Sequence, residues 1–207
     1  MQPLLPLFPL PLVLFENEVF RLHIFEPRYK AMLGHVQLVN CPFVVACSLD
    51  RELQSLAAKA ALISVDQVYE DGSMDITCRC IERVVLTEVV HAASIESYDQ
   101  AQVETLSFVD DEDKELQLRL KDLLTQIYEL SQVGKRVPDK LGSYLDWVHK
   151  AGMDLKHEYE MAALTSVSER QLYALNHLKN LLYTLEQVEN MKNLVHLNGH
   201  AKRLSAL

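Results

Sequence analysis

The chain has 207 residues, enough for one large domain or two small ones, and its 49% apolar and 24% charged residues match a globular protein rather than a disordered or fibrous one. A net charge of −9 with no lysine or arginine run opposes nucleic acid as a partner, because that interaction needs a cationic surface to release counterions. Four cysteines without a CxxC exclude a disulfide scaffold and point to a reducing cytoplasm. No stretch reaches the ~20 apolar residues of a spanning helix, so no membrane partner is expected. The apolar N-terminus lacks a preceding basic residue and is broken by proline, unlike a signal peptide.

The stretch Leu4 to Leu33 organises the rest. Pro3, Pro6, Pro9 and Pro11 punctuate an apolar run, and since proline fixes φ and removes a donor, the run is extended rather than helical. Glu16 and Asn17 interrupt it, Val19 to Phe25 resumes it, and Glu26-Pro27 opens a helix with proline at the first position. Tyr29, Met32, Leu33, Val36 and Val39 then form one helical stripe, ended by Asn40 and Cys41-Pro42. Phe43 to Cys47 reads as a buried strand and Asp50 to Ser55 as a polar connection, with the next strand beginning near Ala57. Asp71-Gly72 marks a tight hairpin. On its return, Met74, Ile76, Cys78 and Cys80 alternate with polar residues, which predicts a half-buried strand. After Glu82-Arg83 the reading gives another strand over Val84 to Val90 and one more over Ala101 to Phe108. Six or seven strands with a single helix among them make a mostly antiparallel sheet or barrel.

Composition shifts near residue 109. Asp110 to Asp113 places negative charge at a helix start, where free amides and the macrodipole favour it. Leu116, Leu120, Leu123, Ile127 and Leu130 stripe that helix, and Gly134 closes it. A second helix is predicted from Pro138 to Lys150, a third over about Leu155 to Leu164. The last shows Ser168 as N-cap, Gln171 as capping-box partner and Val167 with Leu172 as a staple. Its stripe runs from Leu172 to Met191, and Gly199 is its stop. The expected division is a β domain at 1–109 and a helical domain at 110–207.

Several chemistries are missing. The glycines at 34, 72, 134, 142, 152 and 199 are too far apart for GxGxxG, GxSxG or a phosphate loop, so no nucleotide or other cofactor is expected. Cys78 and Cys80 read as small core residues rather than a metal pair, and His157 to Met161 fails the HExxH pattern. His196 and His200 have helical ligand spacing, but Gly199 falls between them and no carboxylate motif accompanies them. His23 reads as a hydrogen-bonded structural histidine in an apolar strand.

Leu7-Phe8-Pro9-Leu10, Leu14-Phe15 and Leu22-His23-Ile24-Phe25-Glu26-Pro27-Arg28-Tyr29 closely resemble the opening of the Lon-protease N-terminal, or substrate-binding, domain family, above all its short stand-alone bacterial members. Cys80 stands where that family usually has a glycine, and Arg83-Val84 where it has an Arg-Phe pair. The resemblance implies an α+β fold, with a mostly antiparallel, PUA-like β pseudo-barrel carrying one helix, followed by a C-terminal helical bundle ending in a long helix. It also implies a non-enzymatic module that binds unfolded polypeptide or a protein partner through apolar surface, since the ATPase and serine-lysine peptidase segments of Lon do not appear. The aromatic candidates for that surface are Phe15, Phe20, Phe25 and Tyr29 near the motif, with Tyr144 and Trp147 on the second helix. A small-ligand protein or enzyme using a cleft between the β part and the helices is the alternative. RNA binding by fold analogy is opposed by the charge. Leucine stripes on long helices also pair copies of a chain, which leaves a homodimer open.

Overall fold

The computed structural model describes residues 3–94, 97–131, 149 and 152–204, with side chains described as far as 194 except at 193. Tyr144, Trp147, Gly134 and, apart from His149, the helix predicted from Pro138 lie outside these residues, as do the side chains of His196 and His200. Two compact units emerge, Met1–Val109 with Asp154–Thr165, and Asp110–Met153 with Ser166–Leu207.

The first unit holds strands β1 (Leu5–Leu10), β2 (Val19–Ile24), β3 (Phe43–Leu49), β4 (Glu52–Val68), β5 (Met74–Val90) and β6 (Gln100–Thr105), with helix α1 (Pro27–Val39) after β2 and α3 (Leu155–Ala163) joining from later in the chain. The strand order is β2-β5-β4-β3-β1-β6, and β6 also pairs with β5, so five strands close a ring while β2 lies outside it. All pairs are antiparallel except β1 with β3.

The prolines of β1 fit the ladders they interrupt. Backbone N–H groups alternate sides along a strand, and that of Leu7 donates to Asp99 O on the β6 side at 2.8 Å. The nitrogen of Pro6 therefore faces β3 just before that ladder begins at Leu7, and that of Pro9 faces β6 after its ladder has run out. No ladder bond is lost at either proline.

Apolar residues fill both faces of the sheet. Leu5, Leu7, Val44, Ala46, Ala57, Val84, Ala101 and Val103 form one cluster, drawn from all five ring strands. The other joins Phe43, Val45, Ile76, Cys78 and Cys80 to Tyr29, Met32, Leu33 and Val36 of α1. Each large member of that helical stripe contributes about 1.5–3 kcal/mol by burial. Val39, predicted to extend the stripe, is exposed, because Asn40 turns left-handed (φ 51°) and ends the helix.

Three strand boundaries differ from the sequence reading. Asp50 and Arg51 turn the chain at positive φ, so β4 starts at Glu52 rather than near Ala57. Glu82-Arg83 does not separate two strands; β5 continues through it to Val90, because Lys59 and Ala58 of β4 pair with these residues and keep the ladder intact. The last strand stops at Thr105, short of Phe108.

In the second unit, α2 (Lys114–Leu130) packs along α4 (Val167–Leu204). Leu120, Leu124 and Ile127 are its buried positions; Leu124 takes the place predicted for Leu123. The predicted cap of α4 is displaced by two residues. Ser166 Oγ accepts from the Glu169 amide at 3.3 Å, and Leu172 is 50% exposed, so it forms no staple. Ser168 instead donates its hydroxyl to Asp111 at 2.8 Å, while Gln171 exchanges two hydrogen bonds with the Asp113 backbone. Asp113 itself caps α2, accepting from the amides of Glu115 and Leu116. Helix α4 continues through Gly199 to Leu204, since a lone glycine weakens a helix without ending it.

The Ser168 amide, with the hydroxyls of Ser168 and Ser166, pulls the Asp111 carboxyl down to about 2. Since this lies below the value in an unfolded chain, the ionised carboxylate stabilises the fold at neutral pH, and the contribution disappears as pH falls from about 4 to about 2. Asp111→Asn is expected to lower unfolding stability near neutral pH, with its difference from wild type shrinking across that acid window in denaturant titrations followed by circular dichroism. Phe15 is wholly buried and Phe25 is on the surface. Denaturant melts should show Phe15→Ala losing about 3–5 kcal/mol and Phe25→Ala staying within about 0.5 kcal/mol of wild type.

Candidate functional site

The aromatic candidates near the opening motif separate by burial. Phe20 and Tyr29 belong to the cluster beneath α1, where the Tyr29 ring meets Phe8 at 4.0 Å. Phe15 is covered on one side by the Arg83 guanidinium, 6.0 Å from its ring centre, and Arg83 in turn pairs with Glu16 at 3.8 Å. Only Phe25, of these four, presents its ring to solvent, at 62% exposure.

A concave site lies on α1 and β4. The β3 ladder ends at Phe43 opposite Ala60, whereas β4 continues to Val68 along β5. Among the described residues, no strand pairs with the outer edge of β4 beyond Ala60. The chain end of α1 explains the gap: Asn40 turns the backbone and Pro42 has no donor to offer, so the β3 ladder starts one residue later. A cleft of about 430 Å³ runs there, with Val36, Gln37 and Pro42 on the helix side and Leu62, Ile63 and Val65 on the strand side. None of its lining residues is charged.

Two bulges shape its wall. Ile63 is the extra residue of β4 between the pairs Leu62–Cys78 and Ser64–Thr77, and Ile81 that of β5 between Ala60–Cys80 and Lys59–Glu82. A bulge re-aims its residue and bends the strand. The two isoleucines are accordingly 50% and 45% exposed while lining the cleft. Sequence reasoning passed over both, because a bulge is a property of register between two strands.

Among the described residues the outer edge of β2 also has no strand partner, and a polar network lies on its face. His23 Nδ1 meets Asp75 Oδ1 at 2.7 Å, and the Tyr69 hydroxyl donates to Asp75 Oδ2 at 2.6 Å. Ser64 and Thr77 donate to Asp66, each at 2.6 Å. These hydrogen bonds hold both carboxyls below the usual range, the Tyr69 hydroxyl and then the His23 imidazole acting on Asp75, and the Ser64 and Thr77 hydroxyls on Asp66. The Asp75 bond pushes the Tyr69 phenol up. His23 is thus hydrogen-bonded as its sequence context implied, but at the surface.

Burial pushes the thiols of Cys78 and Cys80 up to about 12, which keeps them protonated at neutral pH. No cluster of three or more histidine, cysteine, aspartate or glutamate side chains among the described residues is placed to hold a metal ion. No described helix is long and apolar enough to cross a membrane.

The family model described as the ATP-dependent protease La (LON) substrate-binding domain matches residues 4–199. Among solved structures, the chain is similar to a Lon N-terminal domain protein from Xanthomonas campestris, with a TM-score of 0.61 and 18% identity over 87% of this chain and 98% of that one. It is also similar to the N-terminal domain of Mycobacterium avium complex Lon protease, with a TM-score of 0.50 and 14% identity over 88% and 96% of the two chains. No curated protein sequence matches significantly. At these identities the structural likeness concerns the fold, and the family rests on the sequence match spanning nearly the whole chain: the protein belongs to the LON substrate-binding domain family.

Proposed function

We propose that the first unit binds an extended polypeptide segment in the cleft between α1 and the open edge of β4, acting by capture rather than by turnover. The observation that carries this reading is the unpaired β4 edge beyond Ala60, standing beside an uncharged cleft of about 430 Å³. A strand edge offers a row of backbone donors and acceptors, and an incoming segment gains affinity from those bonds and specificity from alternate side-chain pockets. Ile63 and Ile81 supply the apolar contact, and α1 supplies the opposite wall. A family named for substrate binding supports a polypeptide as occupant. Unfolded chains are the segments that present free backbone and apolar side chains together. Four free cysteines support a reducing, cytoplasmic setting.

A short, neutral, fluorescein-labelled Thr/Val-rich peptide tests the site by anisotropy. Ile63→Asp and Ile81→Asp should each weaken binding by about tenfold or more, a loss of roughly 1.4 kcal/mol. Leu118→Asp, on the exposed face of α2, should leave it unchanged. Both isoleucines are about half buried, so each variant is expected to lose about 1–2 kcal/mol, and binding is compared once circular dichroism shows the variant folded. Unchanged binding by both folded variants would remove the cleft as the site.

A further inference from the structure

We propose that the open outer edge of β2 is a second docking edge, which takes an extended polypeptide segment carrying an arginine or lysine side chain across Phe25 and Tyr69. Among the described residues β2 pairs with β5 alone, so its other side has no strand partner. Val19, Arg21, His23 and Phe25 share one face of this edge by alternation. The His23 ring lies between two exposed aromatics, 6.1 Å from Phe25 and 5.7 Å from Tyr69. Phe25 and Tyr69 are 62% and 43% exposed, and aromatic faces attract cations, arginine above all.

The register supplies the anionic end of the site. Asp75 is the direct ladder partner of His23 and leans towards its ring. A strand added to β2 sets its residue opposite His23 about 4.8 Å away, and about 10 Å from Asp75 across two strand spacings. An arginine there lies along the rings with its head group at the carboxylate. Charge favours this occupant: Asp66, Glu70, Asp71 and Asp75 outnumber Arg21, Arg79 and Lys30 around the β4–β5 tip and this face, and Lys30 is already held on Asp71 O at 2.9 Å. The α1–β4 cleft has no charged lining, so the two open edges discriminate between segments by charge. This surface stands independently of that cleft.

The full chain is titrated with three versions of the neutral peptide, differing only in a central arginine, glutamine or glutamate. The arginine peptide should bind about threefold to tenfold more tightly than the glutamine one, and the glutamate peptide more weakly than either. Phe25→Ala and Asp75→Asn should each abolish that arginine preference while leaving glutamine-peptide affinity within about twofold. Ile63→Asp should weaken the glutamine peptide yet retain the preference, which separates failure of this edge from failure of the cleft. Equal affinity for arginine and glutamine peptides, or a preference unchanged by both Phe25→Ala and Asp75→Asn, overturns the proposal.

Discussion

The structure depends on a mismatch of strand lengths. β4 and β5 each run 17 residues, whereas β3 has 7 and β2 and β6 have 6 each. Every backbone donor and acceptor of a strand needs a partner or water, so short neighbours can satisfy the long hairpin over only part of its length. Along one half of β5, β6 supplies the partner and closes the ring. Along the other half β2 takes that place, while β4 has outrun β3. The closed half buries an apolar interior, and the other half leaves two edges, on β4 and β2, without a strand partner among the described residues. Core and candidate binding surface therefore arise from the same two strands.

Free edges invite indiscriminate pairing, and this chain carries the devices that restrain it. Ile63 and Asp66 are both extra residues within the unpaired part of β4, and bulges bend a strand away from flat association. Asp66 also places a carboxylate there, held by Ser64 and Thr77. β2 is short and carries Arg21 and His23 on its open face. Such edges accept a partner only where side chains complement them, as expected of a recognition surface rather than an aggregation site.

In the second unit, charge acts through particular bonds. The acidic run before α2 fits the general attraction of carboxylates to a helix start. Two of its members have narrower tasks: Asp111 joins Ser166 and Ser168 at the start of α4, and Asp113 caps α2 while its backbone is gripped by Gln171. The same short segment thereby ties the first turns of both helices together. Arg170, buried beside this region in sequence, belongs to the same turn as Gln171 and is as inaccessible as the leucines of the stripe.

Local features were legible in the sequence because they rest on local physics. Proline placed β1, Glu26-Pro27 opened α1, Asn40 closed it, Asp71-Gly72 turned the hairpin, and the alternation from Met74 to Cys80 revealed a buried face. The opening motif carried the family as well. What the chain alone could not disclose was pairing: that β5 runs unbroken past Glu82-Arg83, that β3 stops opposite Ala60, and that Ile63 and Ile81 are squeezed out of register. Nor could composition separate Phe25 from Phe15, since both lie in apolar stretches and only the placement of Arg83 and the strands around it covers one and leaves the other in water. Residue type and spacing govern the backbone of a segment, whereas burial and open edges depend on which distant segment lies alongside, and that is decided only when the chain has folded.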